Sequence, residues 1–198
     1  MLLLAVGIVL FLGIHLVPTS PELRNGLLAR FGEPAYKIGF AILSLVGLVV
    51  IVYGYHKLQV NPGKNVFFGD PPMTPPVWLN HVTWLLMLPA MIALVAAYVP
   101  SRIRTALKHP MLVAIKLWAL AHLLVNWDLA SFLLFGSFLA YAVYDRISVR
   151  KRGALGPLGA KQGGLTGDLI VLVVGIGLYA FMLHMGHSWL IGVPLLPA

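Results

Sequence analysis

The chain has 198 residues, of which 60% are apolar and only 10% charged, and its mean hydropathy is +0.91. A soluble domain of this length carries roughly 25% charged residues, so the composition excludes a water-soluble globule and implies an integral membrane protein. One domain, residues 1–198, is enough for the length. The net charge of +8 would point to nucleic acid in a soluble chain, but here the basic residues lie between apolar spans, where they set topology. Membrane lipid is the expected partner and nucleic acid is not. The chain has no cysteine, which excludes disulfides, thiolate haem ligation and CxxC chemistry.

Six apolar stretches occur in chain order, each near the roughly 20 residues that cross the hydrocarbon core. They run over residues 2–17, 36–55, 78–99, 110–125, 128–144 and 168–187. The first lacks a basic n-region and a cleavage site, so it reads as a retained span. A spanning segment must satisfy its own backbone hydrogen bonds, so all six are expected to be helices of an all-α polytopic bundle. The fourth and fifth share only the turn Asn126-Trp127-Asp128, which predicts a tight antiparallel hairpin. Four long spans, with residues 2–17 lying in the interface, is the alternative, and the uniform apolarity of that segment argues against it.

Two loops have a character of their own. Residues 57–76 hold Pro62, Pro71, Pro72, Pro75 and Pro76, which predicts a stiff, non-helical outer linker. Residues 146–167 are basic and rich in glycine, which predicts a mobile cytoplasmic segment drawn to anionic lipid. Eleven Lys and Arg fall in or at the edge of the loops after the first, third and fifth stretches, Lys37 at the start of the second stretch among them, against Lys57 and Lys64 on the other side. The positive-inside rule then places both termini outside. Gly7, Gly13, Gly47, Gly136, Gly175 and Gly177 are expected to permit close helix packing.

With so few charges, the seven histidines are the main chemical inventory. His15 ends the first span and His122 lies within the fourth. A histidine in hydrocarbon is a functional candidate by default, although an interhelical hydrogen bond worth about 0.6 kcal/mol also accounts for one. Two on facing helices suit the axial positions of a haem. If Lys116 snorkels to the cytoplasmic interface, His122 falls in the inner half of the bilayer or near its midplane, as His15 does. Trp118 and Asn126 lie four residues either side of His122, on its face. A ring packs on Trp118 or that residue only fills helix packing, and the Asn126 oxygen would orient the imidazole. Lys116 snorkels, or pairs with an anion such as a propionate. His56, His81, His184 and His187 lie toward the outer face, where four imidazoles would suit a metal or a second cofactor. His109 precedes Pro110 at a helix start and reads as a cap or interface residue.

Several segments carry a family resemblance: FLGIHLVP with Arg24, the run Gly32-Glu33-Pro34-Ala35-Tyr36-Lys37, the block HPMLVAIKLWALAHLLVNWDLASFLLFGSFLAYAVYD and the closing HSWLIGVP. They resemble the NnrU family of bacterial inner-membrane proteins, named for an association with nitrite and nitric oxide metabolism in denitrification. More remotely the chain is similar to the plant 15-cis-zeta-carotene isomerase, a membrane haem b enzyme. That resemblance implies haem b held by His15 and His122, with His122 in the matching W-x-L-A-H segment. The plant enzyme has a cysteine where this chain has Ala119, and the usual Asn-Gly-Asp turn of the bacterial family reads Asn126-Trp127-Asp128. A thiolate exchange is therefore excluded. The implied roles are isomerisation of a polyene such as zeta-carotene, or a redox or nitrogen-oxide-linked task. The alternative is a non-catalytic accessory or regulatory factor of denitrification without a cofactor, interacting with nitrogen-oxide pathway proteins. A membrane methyltransferase, suggested by His109-Pro110, lacks the acidic pair it would need, because no Glu follows Glu33.

Overall fold

Apolar runs that cannot bond to water close their hydrogen bonds internally, and the chain is accordingly helical. The computed structural model describes residues 1–61, 63, 65–68, 73–156 and 158–196, and among them there is no strand. The helices are α1 (Leu2–Leu16), α2 (Pro21–Gln59), α3 (Trp78–Ala96), α4 (Arg102–Leu107), α5 (Pro110–Val125), α6 (Leu129–Arg152), α7 (Leu165–Phe181) and α8 (His187–Ile191). A 3-10 turn, Val17–Thr19, follows α1, and a π-helical turn, Met182–Gly186, joins α7 to α8.

The six expected stretches all appear, with changed bounds. Among the described residues five segments are long and apolar enough to cross a membrane: Leu2–Thr19, Pro21–Gln59, Trp78–Ala96, Leu129–Arg152 and Leu165–Ile191. The sixth, α5, has 16 residues, about 24 Å at 1.5 Å per residue, against a hydrocarbon core of about 30 Å. The loop expected before residue 36 is instead helical. Ser20 caps it by accepting from the Leu23 N–H at 3.4 Å, and Pro21 supplies the fixed φ of a first helical residue. The helix is interrupted only at Gly32, whose φ of 78° is a conformation that suits glycine.

The chain folds as two compact units, Met1–Thr74 with Asn126–Tyr141, and Pro75–Val125 with Ala142–Ala198. The Asn126-Trp127-Asp128 turn, expected to close a hairpin, is where the chain passes from the second unit into the first.

In the first unit α1 and α2 pack antiparallel along a seam of glycines. A Cβ on Gly7 would lie 2.7 Å from the Ile51 nitrogen, one on Gly47 2.8 Å from that of Phe11, and one on Gly54 2.8 Å from that of Leu4. Backbones that close gain dispersion contacts that lipid cannot supply. The linker after α2 is pinned to the start of α6. Leu129 N–H donates to the Val66 carbonyl at 2.7 Å and Phe68 N–H to that of Trp127 at 3.1 Å. Asp128, only 3% exposed, accepts from Asn65 Nδ2 at 2.7 Å and from the Ser131 N–H at 2.9 Å and hydroxyl at 2.7 Å. Tyr55 and Ser131 hydroxyls share a further bond of 2.8 Å. Pro62, Lys64, Asp70, Pro71 and Pro72 lie outside the described residues.

In the second unit α3 packs against α5 and α7. Thr83 Oγ1 donates to the Ala121 carbonyl at 3.0 Å, and a Cβ on Gly175 would lie 2.8 Å from Ile92 Cα. The segment expected to be mobile is fastened at both ends. Residues 146–152 continue α6, and Arg104, buried at 7% exposure, donates to the carbonyls of Lys161 and Gly159 at 2.7 Å each. Any Cβ on Gly163 or Gly167 would collide with the Pro100 carbonyl. Asp168 accepts from the Arg102 and Ile103 N–H groups and from Arg102 Nε, at 2.7, 3.1 and 2.7 Å. The glycines here allow close approach where the composition alone suggested freedom of movement.

Candidate functional site

His15 sits one residue before the end of α1 and is half-buried. Its Nδ1 donates to the Phe11 carbonyl one turn back at 2.6 Å. A carbonyl only accepts, so the proton is on Nδ1 and the ring's lone pair on Nε2. Three aromatic rings fix the plane: Phe11 stacked at 4.2 Å, Phe40 at 5.0 Å and Tyr141 edge-on at 6.2 Å. Phe138 continues the wall, 5.4 Å from Phe11. The Tyr141 hydroxyl donates to the His15 carbonyl at 3.4 Å.

His122 repeats the same device in the second unit. Its Nδ1 donates to the Trp118 carbonyl at 2.8 Å, which again leaves the lone pair on Nε2. The Trp118 ring lies 5.4 Å away at a tilt of 52°, so Trp118 restrains the imidazole through both its carbonyl and its indole. The main chain orients the imidazole at Nδ1. Asn126 itself opens the turn after α5 and is half-buried. Lys116, half-buried within α5, makes no ion pair among the described residues.

The remaining histidines divide differently from the sequence expectation. His187 was assigned to the outer rim, apart from His122, yet its ring lies 6.4 Å from that of His122 with the planes 22° apart. His122 is three residues from the end of α5. His56 and His184 are exposed, and His81 is exposed with its ring 5.3 Å from Trp84. Among the described residues no group of three or more His, Cys, Asp or Glu could hold a metal ion. The four-histidine outer metal site is therefore not assembled. Burial at the base of α5 pushes the His109 imidazole below its ordinary pKa, and the nearby Arg146 adds to the effect.

A family model described as NnrU protein matches residues 3–195. The chain belongs to the NnrU family. No curated protein and no solved structure matches it. Family membership together with the apolar helices makes this NnrU protein a multi-pass membrane protein. The quoted segments that carried the resemblance hold His15, Trp118, His122 and His187. His187 was missed as a neighbour of His122 because a π turn shifts the phase of the helix, and hydrophobic periodicity does not register a single inserted residue.

Proposed function

We propose that this NnrU-family protein binds haem b within the bacterial inner membrane, with His15 and His122 as axial ligands. The haem serves a redox or nitrogen-oxide-linked reaction, or the isomerisation of a hydrophobic polyene. One observation supports the reading above others. Both intramembrane histidines give their Nδ1 proton to the carbonyl four residues back, the anchoring that fixes the tautomer and raises the basicity of a metal-ligating Nε2. The surroundings also fit the group. Phe11, Phe40 and Tyr141 around His15 and Trp118 beside His122 are flat apolar surfaces suited to a macrocycle. Lys116, without an ion pair among the described residues and inside an apolar helix, suits a carboxylate such as a propionate. Bound haem supplies an iron that exchanges electrons and takes small ligands. The chain's own part is to hold each imidazole in one tautomer and one plane.

The test is the absorption spectrum of protein purified from haem-replete cells, oxidised and reduced. A Soret band with a low-spin spectrum is expected. His122→Ala should lose the haem or turn it high-spin, whereas His56→Ala, at an exposed position, should leave the spectrum unchanged. Wild-type protein without a Soret band would favour an accessory factor without cofactor.

A further inference from the structure

Charge is shared unevenly between the two units. The second unit holds nine Lys and Arg against two acids, Asp145 and Asp168, a net of +7 out of the chain's +8. Both acids are already paired: Asp168 accepts from Arg102 Nε at 2.7 Å and Asp145 from Arg152 Nη2 at 3.3 Å. Arg146, Arg150 and Lys151 make no ion pair among the described residues. Arg146 and Arg150 are one helical turn apart and Lys151 follows directly, so the three share a flank of α6. With Ile147 they line an open groove of about 460 Å³. The negative end of the helix dipole at the close of α6 offsets only about half a charge. The surplus is felt nearby, at His109, where burial lowers the pKa and Arg146 lowers it further.

The groove stands where a span meets the headgroup layer. α6 has 24 residues, about 36 Å at 1.5 Å per residue, against a hydrocarbon core of about 30 Å. With Leu129 at one edge of the core, the last turn, which holds Arg150 and Lys151, reaches past the other edge, and Arg146 snorkels to it from one turn below. On the same side, Val143 and Ile147 are 46% and 52% exposed and form an apolar strip leading up to the cations. A cationic groove continued by an apolar strip matches an amphiphile with an anionic head and hydrocarbon tails, whereas a free anion makes no use of the strip. We propose that this groove binds an anionic phospholipid, its phosphate held by Arg146, Arg150 and Lys151 and an acyl chain laid along Ile147 and Val143. Guanidinium groups suit the task because their paired N–H donors match two phosphate oxygens. The site belongs to α6 itself and not to the glycine-rich loop after it, and it is independent of the haem reading.

Native mass spectrometry of the full chain in non-ionic detergent, titrated with phosphatidylglycerol, phosphatidylcholine or inorganic phosphate, tests this. Phosphatidylglycerol is expected to bind in preference to phosphatidylcholine and to resist displacement by millimolar inorganic phosphate. The triple variant Arg146→Gln/Arg150→Gln/Lys151→Gln should weaken its binding roughly a hundredfold. Removing three cations elsewhere, with Arg30→Gln/Lys57→Gln/Lys161→Gln, should leave it nearly unchanged. In the wild type a photoactivatable phosphatidylglycerol should label α6 between Val143 and Arg152, a readout that needs no variant to fold. Equal affinity for the two lipids, full affinity in the groove variant or an equal loss in the control variant overturns the proposal. Labelling confined to other helices overturns it as well. Displacement by inorganic phosphate overturns the lipid as ligand and leaves a free-anion site in its place.

Discussion

A buried cation and a half-buried imidazole meet the low dielectric of this protein in opposite ways. Arg104 is accommodated at 7% exposure because its two terminal nitrogens each find a main-chain carbonyl. Charge-assisted bonds of this kind contribute about 1.5–3 kcal/mol each. His109, a few residues on, is half-buried. Burial lowers its pKa, Arg146 and Arg104 lower it further, and only Asp145 acts the other way. The neutral form is favoured in the fold, so its contribution to stability is complete above the ordinary histidine pKa of about 6.5. That contribution is lost as pH falls below this value. Thermal stability in detergent should therefore decline from pH 7 toward pH 5, and His109→Gln should flatten the decline. A variant with an unchanged profile would show that other groups carry the acid sensitivity.

At the scale of the helix, the glycine seam between α1 and α2 sets how closely two apolar rods can approach. Gly47→Leu forces a side chain against Phe11, where even a Cβ would sit at 2.8 Å. Overpacking of this kind costs about 1–3 kcal/mol, to be read as a lowered melting temperature. Gly13→Ala, with open space at the same test, should change little. Composition flagged Gly7, Gly47 and Gly175 correctly but also Gly13, Gly136 and Gly177, whose Cβ positions meet nothing. It missed Gly54 and the pair Gly163 and Gly167. Apolarity reveals that a segment is a helix, but not which of its faces meets a partner, because lipid and protein neighbours demand the same side chains. The site shows the same division. His15 and His122 stood out because a polar ring is rare in an apolar run. His187 stayed at the rim because neither the π turn nor the bond from its Nδ1 to the Val193 carbonyl leaves a mark on residue periodicity.

For the whole molecule the open term is how many times the chain crosses the bilayer, and the arrangement of charge supplies it. Among the described residues five segments are long enough, and α5 is about 6 Å short of the core thickness at 1.5 Å per residue. If α5 stayed on one side, α6 would begin on the side that carries Arg102, Arg104 and Lys108. Arg146, Arg150, Lys151, Arg152 and Lys161 would then emerge on the opposite side, five cations against the positive-inside rule. A mismatch costs only fractions of a kcal/mol per Å and is met by local thinning, whereas exporting five cations has no such relief. The expected topology therefore has α5 crossing and both termini outside. Reporter fusions after Lys108 and after Arg152 should both report the cytoplasm, and a fusion at the C-terminus the periplasm. A cytoplasmic signal after Lys108 with a periplasmic one after Arg152 would show that α5 does not span, and would leave five crossings with the termini on opposite sides.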